Sequence, residues 1–145
     1  MSPPGRKGAI VGLSKIIIGY DPSDRGERAF DAGVELALAL GADIHLVTAF
    51  SDGPGGGVEI TAERRAAEQK LAKAASRKQL AESSVECHAM PLAPAKAILQ
   101  VADEVDADLI VLGNRGAQGA TRVLGSVAAA VVGHAPCSVV VVKTA

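Results

Sequence analysis

The sequence predicts one α/β domain in which a mostly parallel five-stranded sheet is covered by four helices on its two faces. Three observations carry this expectation. Five short apolar runs alternate with four segments of helical character. Right-handed crossovers between parallel strands place such helices over the sheet. A chain of 145 residues is long enough for one core and short for two.

Residues 1–14, with Pro3, Pro4 and several glycines, read as a loose leader, and residues 15–145 as the domain. Lys15 to Tyr20 is a β-branched run and the first strand. Asp21-Pro22-Ser23-Asp24 ends it, with Ser23 or Asp24 available to cap a helix. That helix repeats apolar residues at Phe30, Val34, Ala37 and Leu40 and stops at Gly41. Asp43 to Phe50 is the second strand. Ser51 to Gly57, with Gly-Pro and three consecutive glycines, reads as the most flexible internal loop. A charged helix from about Glu59 to Glu82 follows, with a thin apolar line through Ala67, Leu71 and Ala74 and a solvated outer face.

Ser84 to Met90 is the third strand. Pro94 suits the first turn of the next helix, where its missing N–H leaves no bond unmade. Ile98, Leu99, Ala102 and Val105 form the buried stripe of that helix. Ala107 to Leu112 is the fourth strand, Val123 to Ala135 the last helix, packing through Val123, Leu124, Val127, Val131 and Val132, and Ser138 to Lys143 the fifth strand.

Composition excludes several functions. Fifteen basic and sixteen acidic residues leave a net charge of −1, so no general field draws nucleic acid or a membrane surface. Tyr20, Phe30 and Phe50 are the only aromatic residues, too few for a base-stacking platform. No run approaches the roughly 20 apolar residues of a membrane span, and the run after Arg6 and Lys7 is too short for a signal-peptide core. Cys87 and Cys137 match no metal or redox spacing and read as small buried hydrophobes. A reducing cytoplasm is the expected location. His45, His88 and His134 fall on different elements, so no protein metal site is expected.

The chemistry concentrates after the fourth strand. Gly113-Asn114-Arg115-Gly116, then Gly125-Ser126-Val127 at a helix start, form a strand–glycine loop–helix pattern suited to an anion. Glycines admit close approach and positive φ, and the unpaired N–H groups of a first helical turn point at the ligand. In doubly wound sheets, ligands bind at the carboxyl ends of strands where the winding direction reverses. With strand order 3-2-1-4-5 that point lies between strands one and four, which bring Tyr20-Asp21 to the glycine loop.

These residues resemble a known family. Gly19-Tyr20-Asp21-Pro22-Ser23-Asp24, Gly41-Ala42-Asp43, Ala107 to Gly113, Gly125-Ser126-Val127 and His134-Ala135-Pro136-Cys137 look together like a universal stress protein, over about Lys15 to Lys143. The resemblance implies strand order 3-2-1-4-5, a homodimer and, in one branch, bound ATP or a related adenine nucleotide such as AMP or cyclic AMP, with Mg2+ carried by the nucleotide. By position, Asp21 would hold the ribose or adenine and Ala49 would offer backbone to the adenine edge. Gly113, Asn114, Arg115 and Gly116 would line ribose and phosphates, and Gly125, Ser126 and Val127 would cradle the phosphates. The spacer Ala117 to Leu124 is one residue shorter than that branch usually has, and Leu92 stands where glycine is frequent, narrowing the phosphate end.

The reading is regulatory rather than catalytic, with slow ATP hydrolysis as the most turnover expected, because the chain has no GxxxxGK[ST] loop and no motif-placed acid to activate water. The competing reading is an interaction module of the same fold without nucleotide. Either suits a dimer through the C-terminal strand, whose Val139 to Val142 run would otherwise leave an apolar sheet edge bare.

Overall fold

A computed structural model describes residues 12–21, 24–51, 62–114 and 124–143. Their elements run β1 (Lys15–Gly19), α1 (Asp24–Leu40), β2 (Asp43–Ala49), α2 (Ala62–Ala75), β3 (Val85–Met90), α3 (Pro94–Val105), β4 (Leu109–Gly113), α4 (Ser126–His134) and β5 (Ser138–Val142), with a 3-10 turn over Lys78–Leu80 between α2 and β3. The five strands form one parallel sheet in the order β3-β2-β1-β4-β5. Fold class and strand order are those that the sequence predicts. The loop at Ser51 to Gly57 lies outside the described residues except for Ser51, as do most of the leader, Ser23 and Val123.

β1 is the central strand and the most enclosed. Ile16, Ile17 and Ile18 have no exposed surface, because β2 and β4 flank them and helices lie above and below. Strand side chains alternate between faces. Ile16 and Ile18 enter one cluster with Phe30, Val34 and Ala37 of α1 and Leu71 and Ala74 of α2. Ile17 enters the other with Ala97, Ile98 and Val101 of α3 and Ala128 and Val131 of α4. Thus α1 and α2 cover one face and α3 and α4 the other. Handedness then requires the chain to wind outward from β1 in opposite directions in its two halves.

Local chemistry ends the helices. Gly41 takes φ +63°, letting Ala42 N–H bond Ala37 O at 3.0 Å and close α1. Pro94 occupies the start of α3, and Asp106 caps its end at φ 57°. Three boundaries differ from expectation. α2 stops at Ala75, shorter than the predicted helix, because Arg77 is extended (φ −61°, ψ 144°) and its side chain turns to α1. α4 begins at Ser126, with Gly125 as an extended N-cap. Its buried positions are Ala128 and Val131, with Val127 partly buried, while Leu124 and Val132 are 40% and 49% exposed. Cys87 is exposed rather than buried, since β3 is an edge strand, and Cys137 is half-buried just before β5.

A carboxylate fastens the amino-terminal edge of the sheet. Asp108 Oδ2 accepts from Ser14 N at 3.0 Å, Ser14 Oγ at 3.1 Å and Lys15 N at 3.0 Å, while Asp108 N–H donates to Lys15 O at 2.9 Å. This ties the start of β4 to the start of β1. Asp108→Ala is expected to lower unfolding free energy by about 2–3 kcal/mol in urea titrations, and Asp108→Asn, which keeps one acceptor oxygen, by less.

Candidate functional site

Hydrogen bonds past the carboxyl ends of the strands tie β1 to β2, β2 to β3 and β4 to β5. Tyr20 N–H donates to Val47 O, Phe50 N–H to Met90 O, and Asn114 N–H to Val142 O. Thr48 Oγ1 donates to Tyr20 O at 3.0 Å. Because Ile18 pairs with Val111, the ends of β1 and β4 lie side by side and Tyr20-Asp21 leaves the sheet next to Gly113-Asn114. Asp21 is partly buried there, and α1 crowds it: a Cβ on Gly26 would fall 1.5 Å from Asp21 O. Only glycine lets the first turn of α1 press this closely on the end of β1.

Asn114 joins the other half of the crevice. Its Oδ1 accepts from Gly125 N at 2.8 Å, drawing the start of α4 to the end of β4 across eleven residues. The first backbone bond within α4 runs from Ala129 N to Gly125 O, so the N–H groups of Ser126, Val127 and Ala128 have no carbonyl four residues back in the helix. Gly125 sits at φ −62°, which any residue adopts, and Gly113 does not have a positive φ. The freedom expected of these two glycines is therefore not used as left-handed backbone. Ser126 is exposed, and Val127 packs its side chain into the second core cluster.

Asp21, Gly113, Asn114, Gly125, Ser126 and Val127 thus gather at one end of the sheet, with Ala49 at the same edge on β2. Arg115 and Gly116 lie outside the described residues. Leu92 is half-buried and packs with Ala49, Met90 and Ala95 against the second cluster.

Sequence reasoning missed the support beneath Asp21. The Tyr20 hydroxyl donates to Glu27 Oε1 at 2.6 Å, and its ring meets Phe30 edge-on at a centroid distance of 5.2 Å. Arg77 pairs with Glu27, bonds Asp31 Oδ1 at 2.6 Å, and stacks its guanidinium 4.4 Å above Phe30. Burial, then the bond to Glu27, pushes the Tyr20 phenol up to about 12. An Arg beyond the end of a charged helix carries no periodic signal that would have revealed this contact.

The second feature missed lies between β2 and β3, level with the middle and the carboxyl end of β1. His45 on β2 faces Glu86 and His88 on β3. His45 Nδ1 and His88 Nε2 are 3.0 Å apart and share one proton, and His45 Nδ1 is 3.5 Å from Glu86 Oε2. The expectation that these histidines stand apart is corrected by the parallel register, which no local pattern reveals. Burial, then the neighbouring His88, pushes the His45 imidazole below its ordinary range.

A doubly wound parallel sheet of order β3-β2-β1-β4-β5, reversing between β1 and β4, defines a Rossmann-like α/β domain. Residues 12–143 match the sequence profile of the Universal stress protein family, and the chain belongs to that family. It is 33% identical over 138 residues to a universal stress protein of Methanocaldococcus jannaschii, spanning 89% of this chain and 81% of the relative. A universal stress protein solved in complex with cAMP superposes with a TM-score of 0.74 at 31% identity, covering 92% of this chain and 98% of the other. The universal stress protein from Archaeoglobus fulgidus solved in complex with dAMP gives 0.69 at 32% identity, covering 90% and 98%.

Two outcomes test this geometry. Asn114→Ala is expected to cost about 1 kcal/mol of stability, as loss of a helix-capping side chain does, with Asn114→Asp retaining most of it in thermal unfolding. Tyr20 is the sole tyrosine, so its ionisation can be followed by phenolate absorbance. Its folded-state value lies above the unfolded 10.0, so its stabilising contribution is complete below pH 10 and is lost as pH rises towards about 12. A native titration midpoint near 10 would contradict the buried bond to Glu27.

Proposed function

We propose that this protein is a regulatory adenine-nucleotide-binding module, with the ligand seated between the carboxyl ends of β1 and β4. The observation that carries the reading is the Asn114–Gly125 bond, which sets the open first turn of α4 beside the strand ends where Asp21 emerges. An anion placed there meets several backbone N–H donors and the positive end of a helix. The similarity to proteins solved with cAMP and dAMP supports reading that anion as the phosphate of an adenine nucleotide.

In this reading, Asp21 accepts from ribose hydroxyls or the base, and Ala49 presents backbone to the adenine edge. Gly113, Asn114, Arg115 and Gly116 line the sugar and phosphate. Ser126 and Val127 hold phosphate oxygens through their N–H groups and the Ser126 hydroxyl, and Gly125, whose N–H is engaged by Asn114 Oδ1, completes the cradle without a side chain. A nucleoside triphosphate brings Mg2+ with it, neutralising charge that a helix start alone meets only partly. Nucleotide occupancy is the signal and turnover is not. The acting unit is a cytoplasmic homodimer paired through β5, an edge strand whose Val139 to Val142 run covers itself in that way.

Calorimetric titration with cAMP, AMP and ATP plus Mg2+ tests the reading, and saturable binding near one nucleotide per chain is expected. Asp21→Ala should weaken it by about 1–3 kcal/mol through the lost buried hydrogen bond. Absence of heat with all three ligands at two temperatures leaves the nucleotide-free interaction module. A monomeric mass by light scattering at micromolar protein contradicts the dimer.

A further inference from the structure

The second polar cluster has the composition and spacing of a metal site. We propose that His45, His88 and Glu86 bind one divalent transition-metal ion of the zinc class, at a site separate from the nucleotide crevice and independent of that reading. The three ligand atoms lie within 4.8 Å of one another, at 3.0 Å for the two imidazole nitrogens and 3.5 Å from His45 Nδ1 to Glu86 Oε2. Metal–nitrogen and metal–oxygen bonds near 2.0–2.2 Å in a tetrahedron put neighbouring ligand atoms roughly 3.3 Å apart. An ion seated among them therefore requires shifts of a few tenths of an ångström at the two histidines and a rotation of Glu86.

Backbone register builds the set. His45 pairs with Glu86, and His88 stands two residues further along β3, so strand alternation puts all three on one face of the sheet. They differ in freedom as a three-ligand site needs. The His45 side chain is 10% exposed and held by the sheet, His88 is half-buried, and Glu86 is 66% exposed and able to swing onto the ion. Two imidazoles and one carboxylate suit zinc and its neighbours and leave a fourth position for water.

Nearby groups fix the remaining chemistry. Asp43, two residues before His45 on the same face, adds a second negative charge, and Lys15 is turned aside with its Nζ donating to Val105 O at 3.0 Å. The Cys87 thiol points to the opposite face, within 3.7 Å of Leu71 O, so it is not a ligand. Four residues of strand, about 13 Å, separate His45 from Ala49 at the crevice end, while His88, which pairs with Val47, stands two residues, about 7 Å, short of that level. The ion would clamp edge strand β3 to β2 through residues that the nucleotide reading does not use.

The test is equilibrium dialysis of chelator-treated full-length protein against Zn2+, with metal analysis. The expected result is one Zn2+ per chain, unchanged in a Cys87→Ser, Cys137→Ser double variant. His88→Ala, at a half-buried edge position and checked for native circular dichroism, should weaken binding by more than about 100-fold, beyond the 10–100-fold that outer ligands' partners control. His88→Ala should leave nucleotide affinity unchanged. A second readout is Co2+ loading, where the wild type should give the visible absorption of four-coordinate cobalt and a Glu86→Gln, His88→Ala variant should not. No retained metal in the wild type, equal retention in His88→Ala, or loss of metal on removal of the thiols overturns the proposal.

Discussion

Everything in this fold depends on the complete enclosure of β1. Three consecutive isoleucines with no exposed surface cannot be satisfied by a one-sided sheet, since neighbouring residues of a strand point to opposite faces. α1 and α2 must cover one side and α3 and α4 the other, and the crossovers must wind outward in both directions. A crevice between the ends of β1 and β4 is the geometric remainder of that arrangement. The reversal point between β1 and β4 is thus a consequence of how the core is buried, and its position would survive extensive change in the loops above it.

The two ends of the sheet serve different purposes. At the amino-terminal edge, the Asp108 carboxylate holds β1 to β4, and partway along the strands the two histidines draw β2 and β3 together. At the carboxyl edge, side chains position backbone. Asn114 holds the start of α4, Gly26 lets α1 close on Asp21, and the Tyr20–Glu27–Arg77 contacts anchor the chain where it leaves β1. The fold is shared with relatives at 31–32% identity, with TM-scores of 0.74 and 0.69.

Local sequence carried the architecture because its signals are local: β-branched runs, Pro94 at a helix start and Gly41 at a helix end. The reversal point between β1 and β4 was legible for the same reason, since it follows from element order. Contacts across elements were not legible. His45 and His88 are 43 residues apart and meet through strand register, and Arg77 reaches Glu27 over 50 residues from beyond a helix terminus. Positive φ was also over-read at Gly113 and Gly125, neither of which takes it.

The most direct test of the nucleotide crevice is a residue-resolved amide NMR titration with cAMP. The account predicts that the largest shifts fall at Tyr20, Asp21, Ala49, Gly113, Asn114 and Gly125 to Val127, with Ser14, Lys15 and Asp108 at the far end of the sheet nearly still. Shifts centred on any other surface, or none at saturating ligand, would contradict it.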